Sequence, residues 1–196
     1  MQSTVREAKR RLRSEVSTAL KRISPAERVA GSAQARSRLA AQTLWHTARW
    51  VLFFAPMPEE LDVWPLLTEA LSAGKKVALP RFVAKTGNYE ARQVLDLSAD
   101  VRVGHFGIRE PHDHCPLLPS IRFDLILVPG VAFDLQGRRL GRGKGYYDQL
   151  LTATPGTTCG VAFDQQVVAE VPAEAHDVRL DYLLTPTRWI QVPPGG

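Results

Sequence analysis

Apolar side chains fall at three- and four-residue steps through the first part of the chain, at Val5, Ala8, Leu12, Val16, Ala19 and Ile23. That spacing describes one face of a helix, and Thr4 with Glu7 forms a T-x-x-E capping box at its start. Ser24, Pro25 and Glu27 then supply an N-cap, a first-turn proline and a second capping box, so a new helix is expected to run to about Leu44. Beyond it the period changes. The string "RWVLFFAP" is a short continuous apolar run stopped by proline, as a strand buried on both faces would be. "DVWPLLTEALSAG" reads as a helix capped by Asp62 and closed at Gly74, and "KKVALPR" as the next strand. Strand, helix and strand in that order predict a right-handed parallel crossover.

Further along, "YEARQVL" adds a candidate strand and "FDLILVPG" reads as a central one. A glycine-rich segment leads into a helix near "GYYDQLL", and "TTCGVAF" and "DYLLT" complete the strands, with a helical turn around "QQVVAEV". The sum is an α/β fold, a mostly parallel central sheet with helices on both faces, preceded by an N-terminal helical pair. At 196 residues one domain over residues 1–190 is expected, with 191–196 a flexible tail.

Composition narrows the classes. No apolar run approaches the roughly 18 residues of a membrane span, and the N-terminus lacks the uninterrupted apolar stretch of a secretory signal, so a cytoplasmic protein is expected. Cys115 and Cys159, the two cysteines, are isolated in a chain too large to need stapling and read as reduced thiols. "HDHC" at 112–115 invites zinc, yet it has no second ligand cluster at finger-like spacing, and a solvated loop is the expectation. The balance of 25 Lys+Arg over 20 Asp+Glu, a net +5, suits a polyanionic partner. Ten of those bases lie in residues 1–38, but no aromatics interleave with them as stacking platforms for nucleic acid would. A solvated helix face explains them equally well.

The chemistry concentrates in "RLGRGKGYYDQLL", residues 139–151. Gly141, Gly143 and Gly145 alternate with Arg142 and Lys144 directly after a central strand, where open α/β sheets place their ligand crevice. Backbone amides can approach an anion there while the intervening cations reach around it, which makes phosphate the natural guest; a flexible basic surface turn is the alternative. Neither the P-loop nor the G-x-G-x-x-G template fits, because Arg138 occupies the first P-loop glycine position and Tyr146 the last glycine of the other. Tyr146 and Tyr147 suggest a fixed wall for an aromatic or heterocyclic ligand. Asp148 is either an ion-pair partner of Lys144 four residues earlier or a ligand to Mg²⁺ bridging phosphates, with Asp177 or Asp181 as a second acid.

At these residues the chain resembles the 5-formyltetrahydrofolate cyclo-ligase family, also called 5,10-methenyltetrahydrofolate synthetases. "LVPGVAFDLQGRRLGRGKGYYD" resembles the family signature nearly position by position. "KRRLR", "EELD", "GKKVALPR", "FGIREP" and "VPAEAHDVRLDYLLT" extend the likeness over roughly residues 9 to 185, with Val63 standing where many members have Thr. The resemblance implies a Rossmann-like three-layer sandwich. It also implies ATP-dependent closure of 5-formyltetrahydrofolate to 5,10-methenyltetrahydrofolate, with Mg²⁺ required, ADP and phosphate released, and polyglutamylated folates as candidate substrates. Lys9 and Arg13 would contact ATP phosphates, and their i, i+4 spacing puts them on one helix face. Arg139, Leu140, Gly141, Arg142, Gly143, Lys144, Gly145, Tyr146 and Tyr147 would line nucleotide and folate, with Lys144 and Arg142 as the catalytic cations. Asp148 and Asp177 would bind Mg²⁺, Glu60 would hydrogen-bond the pterin, and Phe106 falls near the family's aromatic against the folate. No nucleic acid or membrane partner is expected. Another ATP-using phosphotransferase and a non-enzymatic nucleotide or nucleic-acid binder are the competing readings.

Overall fold

Five parallel strands make the centre of the molecule in its computed structural model, which describes residues 2–104, 107–119, 121–174 and 177–193. They are β1 (Trp50–Leu52), β2 (Lys76–Val83), β6 (Phe123–Val128), β9 (Gly156–Val161) and β10 (Tyr182–Leu184). Antiparallel β3 (Asn88–Val94) and β11 (Trp189–Gln191) close the two edges, in the order β11-β10-β9-β6-β1-β2-β3. Two small hairpins stand outside this sheet: β4 (Val101–Val103) with β5 (Arg109–Pro111), and β7 (Ala132–Phe133) with β8 (Arg139–Leu140).

The continuous apolar runs are explained by burial on both faces. Along β1 and its continuation, Val51 and Phe53 enter one core while Leu52 enters the other, and along β6 Leu125 and Leu127 alternate with Ile126 and Val128. Successive side chains of a strand point to opposite faces, so both parities must be apolar when both faces are covered. The first core is roofed by helices α1 (Gln2–Leu20), α2 (Pro25–Ala40) and α4 (Trp64–Ser72), through Val16, Leu20, Leu39, Leu66 and Leu67. The second is covered by α6 (Tyr146–Ala153) through Leu150 and Leu151. The expected three-layer α/β arrangement with its N-terminal helical pair is therefore the observed one. Among the described residues, no helix is long and apolar enough to cross a membrane.

Several local expectations are corrected. Helix α1 begins at Gln2, so Thr4 lies inside its first turn instead of capping it. Helix α2 carries the full Ser24–Glu27 capping box but stops at Ala40, and a separate short helix, α3 (Thr43–Thr47), follows. Val63, not Asp62, is the N-cap position of α4; Asp62 still satisfies an orphan donor there, its Oδ1 accepting from the Trp64 N–H at 3.0 Å. Strand β1 ends at Leu52, earlier than its apolar run. The helical turn expected around "QQVVAEV" does form, as a 3₁₀ turn over Asp164–Gln166. The tail boundary expected at residue 191 falls within β11, and Val192 beyond it is buried with its N–H on the Asp181 carbonyl at 2.8 Å.

Topology positions the site. From β1 the chain crosses through α4 to parallel β2 on one side, whereas β6 pairs with β1 on the other. Loops leaving the carboxyl ends of β1 and β6 consequently diverge and open a crevice between them.

Candidate active site

The β7–β8 hairpin is what aims the glycine-rich segment at that crevice. Its turn is held by Asp134, a buried acid whose Oδ1 accepts from the Gln136 and Arg138 N–H groups and whose Oδ2 accepts from Val171. Strand β8 then delivers Arg139, and residues 141–145 cross the crevice mouth before α6 starts. Gly143 and Gly145 have φ of +99° and +71°, the left-handed region in which an L side chain is strained. Space is not the constraint at Gly145, where an added Cβ would meet nothing within 4 Å. Gly145→Ala should therefore lose about 1–2 kcal/mol from backbone strain alone, read as a lower urea midpoint at unchanged slope. Wild-type stability in that variant would show the left-handed turn to be dispensable.

A cavity of about 340 Å³ opens under this loop. Met57 and Glu60 from the loop after β1 form one wall, and Tyr89 of β3 with Glu110 of β5 another. The segment from Arg139 through Asp148 closes it, with Arg142, Lys144, Tyr146, Tyr147 and Asp148 all on the lining. Tyr146 is fixed as an aromatic wall, its ring 5.3 Å from Phe82 and 5.5 Å from Tyr89 between centroids, and Tyr89 also packs on Tyr147 at 5.9 Å. Burial, with Glu60 nearby, pushes the Tyr147 hydroxyl well above its ordinary pKa, so it stays a neutral donor.

Glu60 occupies the centre of the arrangement. Its Oε2 accepts from the Met57 N–H at 3.0 Å and its Oε1 from Arg142 Nη2 at 3.1 Å; the same Arg142 nitrogen also reaches Glu59 Oε1 at 2.9 Å. Burial raises the Glu60 carboxyl despite the Met57 amide and Arg142. At Glu59, burial also pushes upward but is outweighed by a backbone amide and Arg142, which hold it below its usual range. Two adjacent acids are thereby separated in proton affinity, a pattern common where acids have different tasks. On the far side of Glu60 and Arg142 lies a second cavity of about 510 Å³, lined by Arg13, Lys21, Arg28 and Glu59.

Arg139 has only 3% of its side chain exposed, and its Nη2 donates to Asp148 Oδ1 at 2.6 Å. Asp148 is thus the counter-ion of Arg139 and not of Lys144, which forms no ion pair among the described residues. Strand β8 buries Arg139 beside α6, and a buried guanidinium requires a near acid more than an exposed ammonium does. Arg13, expected at the ATP phosphates, reaches the glycine-rich loop: its Nε donates to the Gly141 carbonyl at 2.9 Å, and its guanidinium stands beside Gly143. Lys9 behaves differently. Its Nζ is held at 2.9 Å by both Glu174 and Asp177, and neither Lys9 nor Asp177 lines either cavity. Burial works against the Lys9 charge, but the hydrogen bonds it donates to these two acids, with their negative charge, raise its pKa overall. Asp181 instead pins β10 to β9, accepting from the N–H and hydroxyl of Thr158 at 2.8 Å. Leu140 is buried beneath the loop. Phe106 lies outside the described residues.

Among the residues missed from sequence are Met57, Tyr89, Arg109 and Glu110 on the cavity lining, and Phe82 packed against Tyr146. Phe82 of β2 and Tyr89 of β3 face each other across the β2–β3 hairpin, a pairing that nothing local marks.

A family model described as the 5-formyltetrahydrofolate cyclo-ligase family matches residues 5–186. The chain belongs to this family. It is 31% identical over 174 residues to the 5-formyltetrahydrofolate cyclo-ligase of Escherichia coli K12, covering 85% of this chain and 93% of that one. With the enzyme of that name from Mycolicibacterium smegmatis it shares 37% over 155 residues, 74% and 77% of the two chains. The solved structure of Aquifex aeolicus 5,10-methenyltetrahydrofolate synthetase superposes with a TM-score of 0.85 at 34% identity, covering 96% and 94%. The glycine-rich segment and its cavity therefore sit in a cyclo-ligase fold.

Proposed function

We propose that this protein closes 5-formyltetrahydrofolate to 5,10-methenyltetrahydrofolate with consumption of ATP, in the compartment expected for its two unpaired thiols, the cytoplasm. The observation carrying this reading is that Arg142, Lys144 and the N-terminus of α6 share one cavity with Glu60 and the tyrosine wall. Cations and a helix N-terminus suit a polyphosphate; a largely buried acid sharing a cavity with an aromatic wall suits a flat, hydrogen-bonding heterocycle.

A formamide oxygen is a weak nucleophile, so the difficult step is its attack on the γ-phosphorus as ADP leaves. Arg142 and Lys144 would lower that barrier by facing the charge that develops on the transferring group. The phosphorylated formyl carbon is then electrophilic. N10 of the same folate attacks it, the original formyl oxygen departs with phosphate, and N10 gives up its proton as the methenyl bridge forms. Both nitrogens belong to one molecule, so Glu60 and the tyrosines contribute mainly by holding the conformer in which they approach. No side chain needs to become covalently modified.

A divalent cation belongs to this proposal. Asp148 is on the cavity wall with one oxygen engaged by Arg139, which fits a site completed by phosphate oxygens and water. Asp177 does not fit as its partner, because it lines neither cavity and its Oδ2 is held by Lys9 and the Glu174 N–H. When bound, Mg²⁺ would neutralise charge on the polyphosphate. We extend the proposal to the partners: small molecules, polyglutamylated folates included, and no nucleic acid, since Lys9, Arg13 and Arg28 of the basic N-terminal segment turn toward the protein's own acids and carbonyls.

The test is the absorbance of methenyltetrahydrofolate on mixing protein, 5-formyltetrahydrofolate, ATP and Mg²⁺, with ADP and phosphate counted against product. One of each per methenyl formed is expected. ADP release without methenyl formation would favour the phosphotransferase reading, and no turnover the binder. Glu60 adds a pH signature. If its carboxylate accepts from the pterin, turnover falls as pH drops through its raised pKa, above the usual glutamate range, and Glu60→Gln loses that acid limb. The stability sign is opposite: a carboxyl raised by folding favours the native state below its unfolded pKa, and this is lost as pH rises through the folded value. An acid limb unchanged in Glu60→Gln would remove Glu60 from that role.

A further inference from the structure

Sequence alone argued against metal at "HDHC" because no second ligand cluster accompanies it, but the fold brings one in. The short helix α5 (Leu97–Asp100) ends against the turn that follows β5. Asp100 Oδ1 lies 3.0 Å from His114 Nε2, and Cys115 Sγ donates to the Asp100 carbonyl at 3.5 Å. One ligand atom from each of Asp100, His114 and Cys115 lies within 4.8 Å of the other two. A tetrahedral zinc with bonds of about 2.0–2.3 Å separates its donors by roughly 3.3–3.8 Å, so shifts of about an ångström would complete the set.

The donors are held in place by other groups. Asp100 Oδ2 accepts from the Leu95 and Asp96 N–H groups at 2.8 and 3.0 Å, which turns Oδ1 toward His114. Arg92 Nη1 grips the carbonyls of Asp113 and Cys115 at 3.1 and 2.8 Å, and the His112 N–H reaches the Asp100 carbonyl at 2.7 Å. Cys115 is buried while the His114 side chain is 62% exposed, giving a dry thiol on one side and an entry route on the other. The His112 ring stacks on His114 at 5.4 Å and restrains it. Imidazole, thiolate and one carboxylate are the donors of zinc and its neighbours, not of Mg²⁺, which takes oxygen. The charges also match, since a thiolate and a carboxylate together balance a divalent ion.

We infer that Asp100, His114 and Cys115 form a binding site for a zinc-class divalent metal, with solvent as the fourth ligand, separate from the catalytic cavity. Binding replaces the thiol proton and the His114–Asp100 hydrogen bond with bonds to the ion. The ion would clamp α5 to the end of the β4–β5 hairpin, whose Arg109 and Glu110 wall the cavity.

The full chain, stripped of metal with a chelator, is titrated with Co²⁺ and then Zn²⁺. One Co²⁺ per chain is expected, with a thiolate-to-cobalt charge-transfer band that Zn²⁺ abolishes, and Zn²⁺ should raise the melting temperature. Cys115→Ser should lose the band, His114→Ala should bind at least tenfold more weakly, and Cys159→Ser should match wild type. His114 is exposed, so its variant decides the matter if Cys115→Ser fails to fold. Absence of the band in wild type, its survival in Cys115→Ser, or unchanged affinity in His114→Ala would overturn the site.

Discussion

Lys144→Ala is expected to lower turnover about 10²–10³-fold, the loss typical of removing one preorganised charge from a transition state, about 2.7–4 kcal/mol in barrier. The size follows from where the side chain stands. Lys144 is exposed, lines the cavity and forms no ion pair among the described residues, so its charge remains available to a ligand. For the same reason its removal should leave the fold nearly untouched, since exposed side chains without structural partners change stability by about 0.5 kcal/mol or less. Turnover by the methenyl absorbance and a melting curve on the same sample separate the two effects. The loss should appear in kcat more than in the KM for ATP if the charge acts chiefly on the transferring group. A fully active Lys144→Ala protein would remove the glycine-rich loop from the chemistry.

The second large effect is structural. Arg139→Ala should cost about 3–5 kcal/mol, because truncating one member of a buried ion pair leaves the other without compensation. Here the partner, Asp148, retains 24% side-chain exposure and can recruit water, which places the expectation at the lower end. Two controls isolate the cause. Asp148→Asn keeps a hydrogen-bond acceptor for Arg139 and should cost less, and the double variant Arg139→Met with Asp148→Leu should recover part of the loss. Urea unfolding reads each of these. Additive losses in the double variant would show that Arg139 acts through packing on Tyr147, 5.9 Å from its guanidinium, and not through the pair.

Both predictions depend on the same loop, yet only one could be framed from the order of residues. The run of glycines and cations announces a surface for anions, and Lys144 stays available for that proposed role, forming no ion pair among the described residues. Asp148 shows the contrary case. Four residues from Lys144, it reads from sequence as a helical ion-pair partner or a Mg²⁺ ligand, but β8 places a buried guanidinium closer than Lys144, and desolvation makes that ion pair the stronger demand. Lys9 and Arg13 divide in the same way. One helix face carries both, as their spacing requires, but Arg13 meets the Gly141 carbonyl whereas Lys9 is captured by Glu174 and Asp177, residues some 165 positions away in the chain.

What the chain order determined was everything set by short-range repetition: the apolar stripe of α1, the Ser24 capping box, the two-sided burial of β1 and β6, and the string from Leu127 to Asp148 that marks the family. These are local because helix and strand periods span a few residues, and a signature is read residue by residue. Tertiary structure alone decided which charges are spent and which remain free, that Tyr89 and Phe82 hold Tyr146 in the cavity wall, and that Asp100 meets His114 and Cys115. Those outcomes depend on desolvation and on distances between elements that the sheet order brings together, and no periodicity along a chain carries that information.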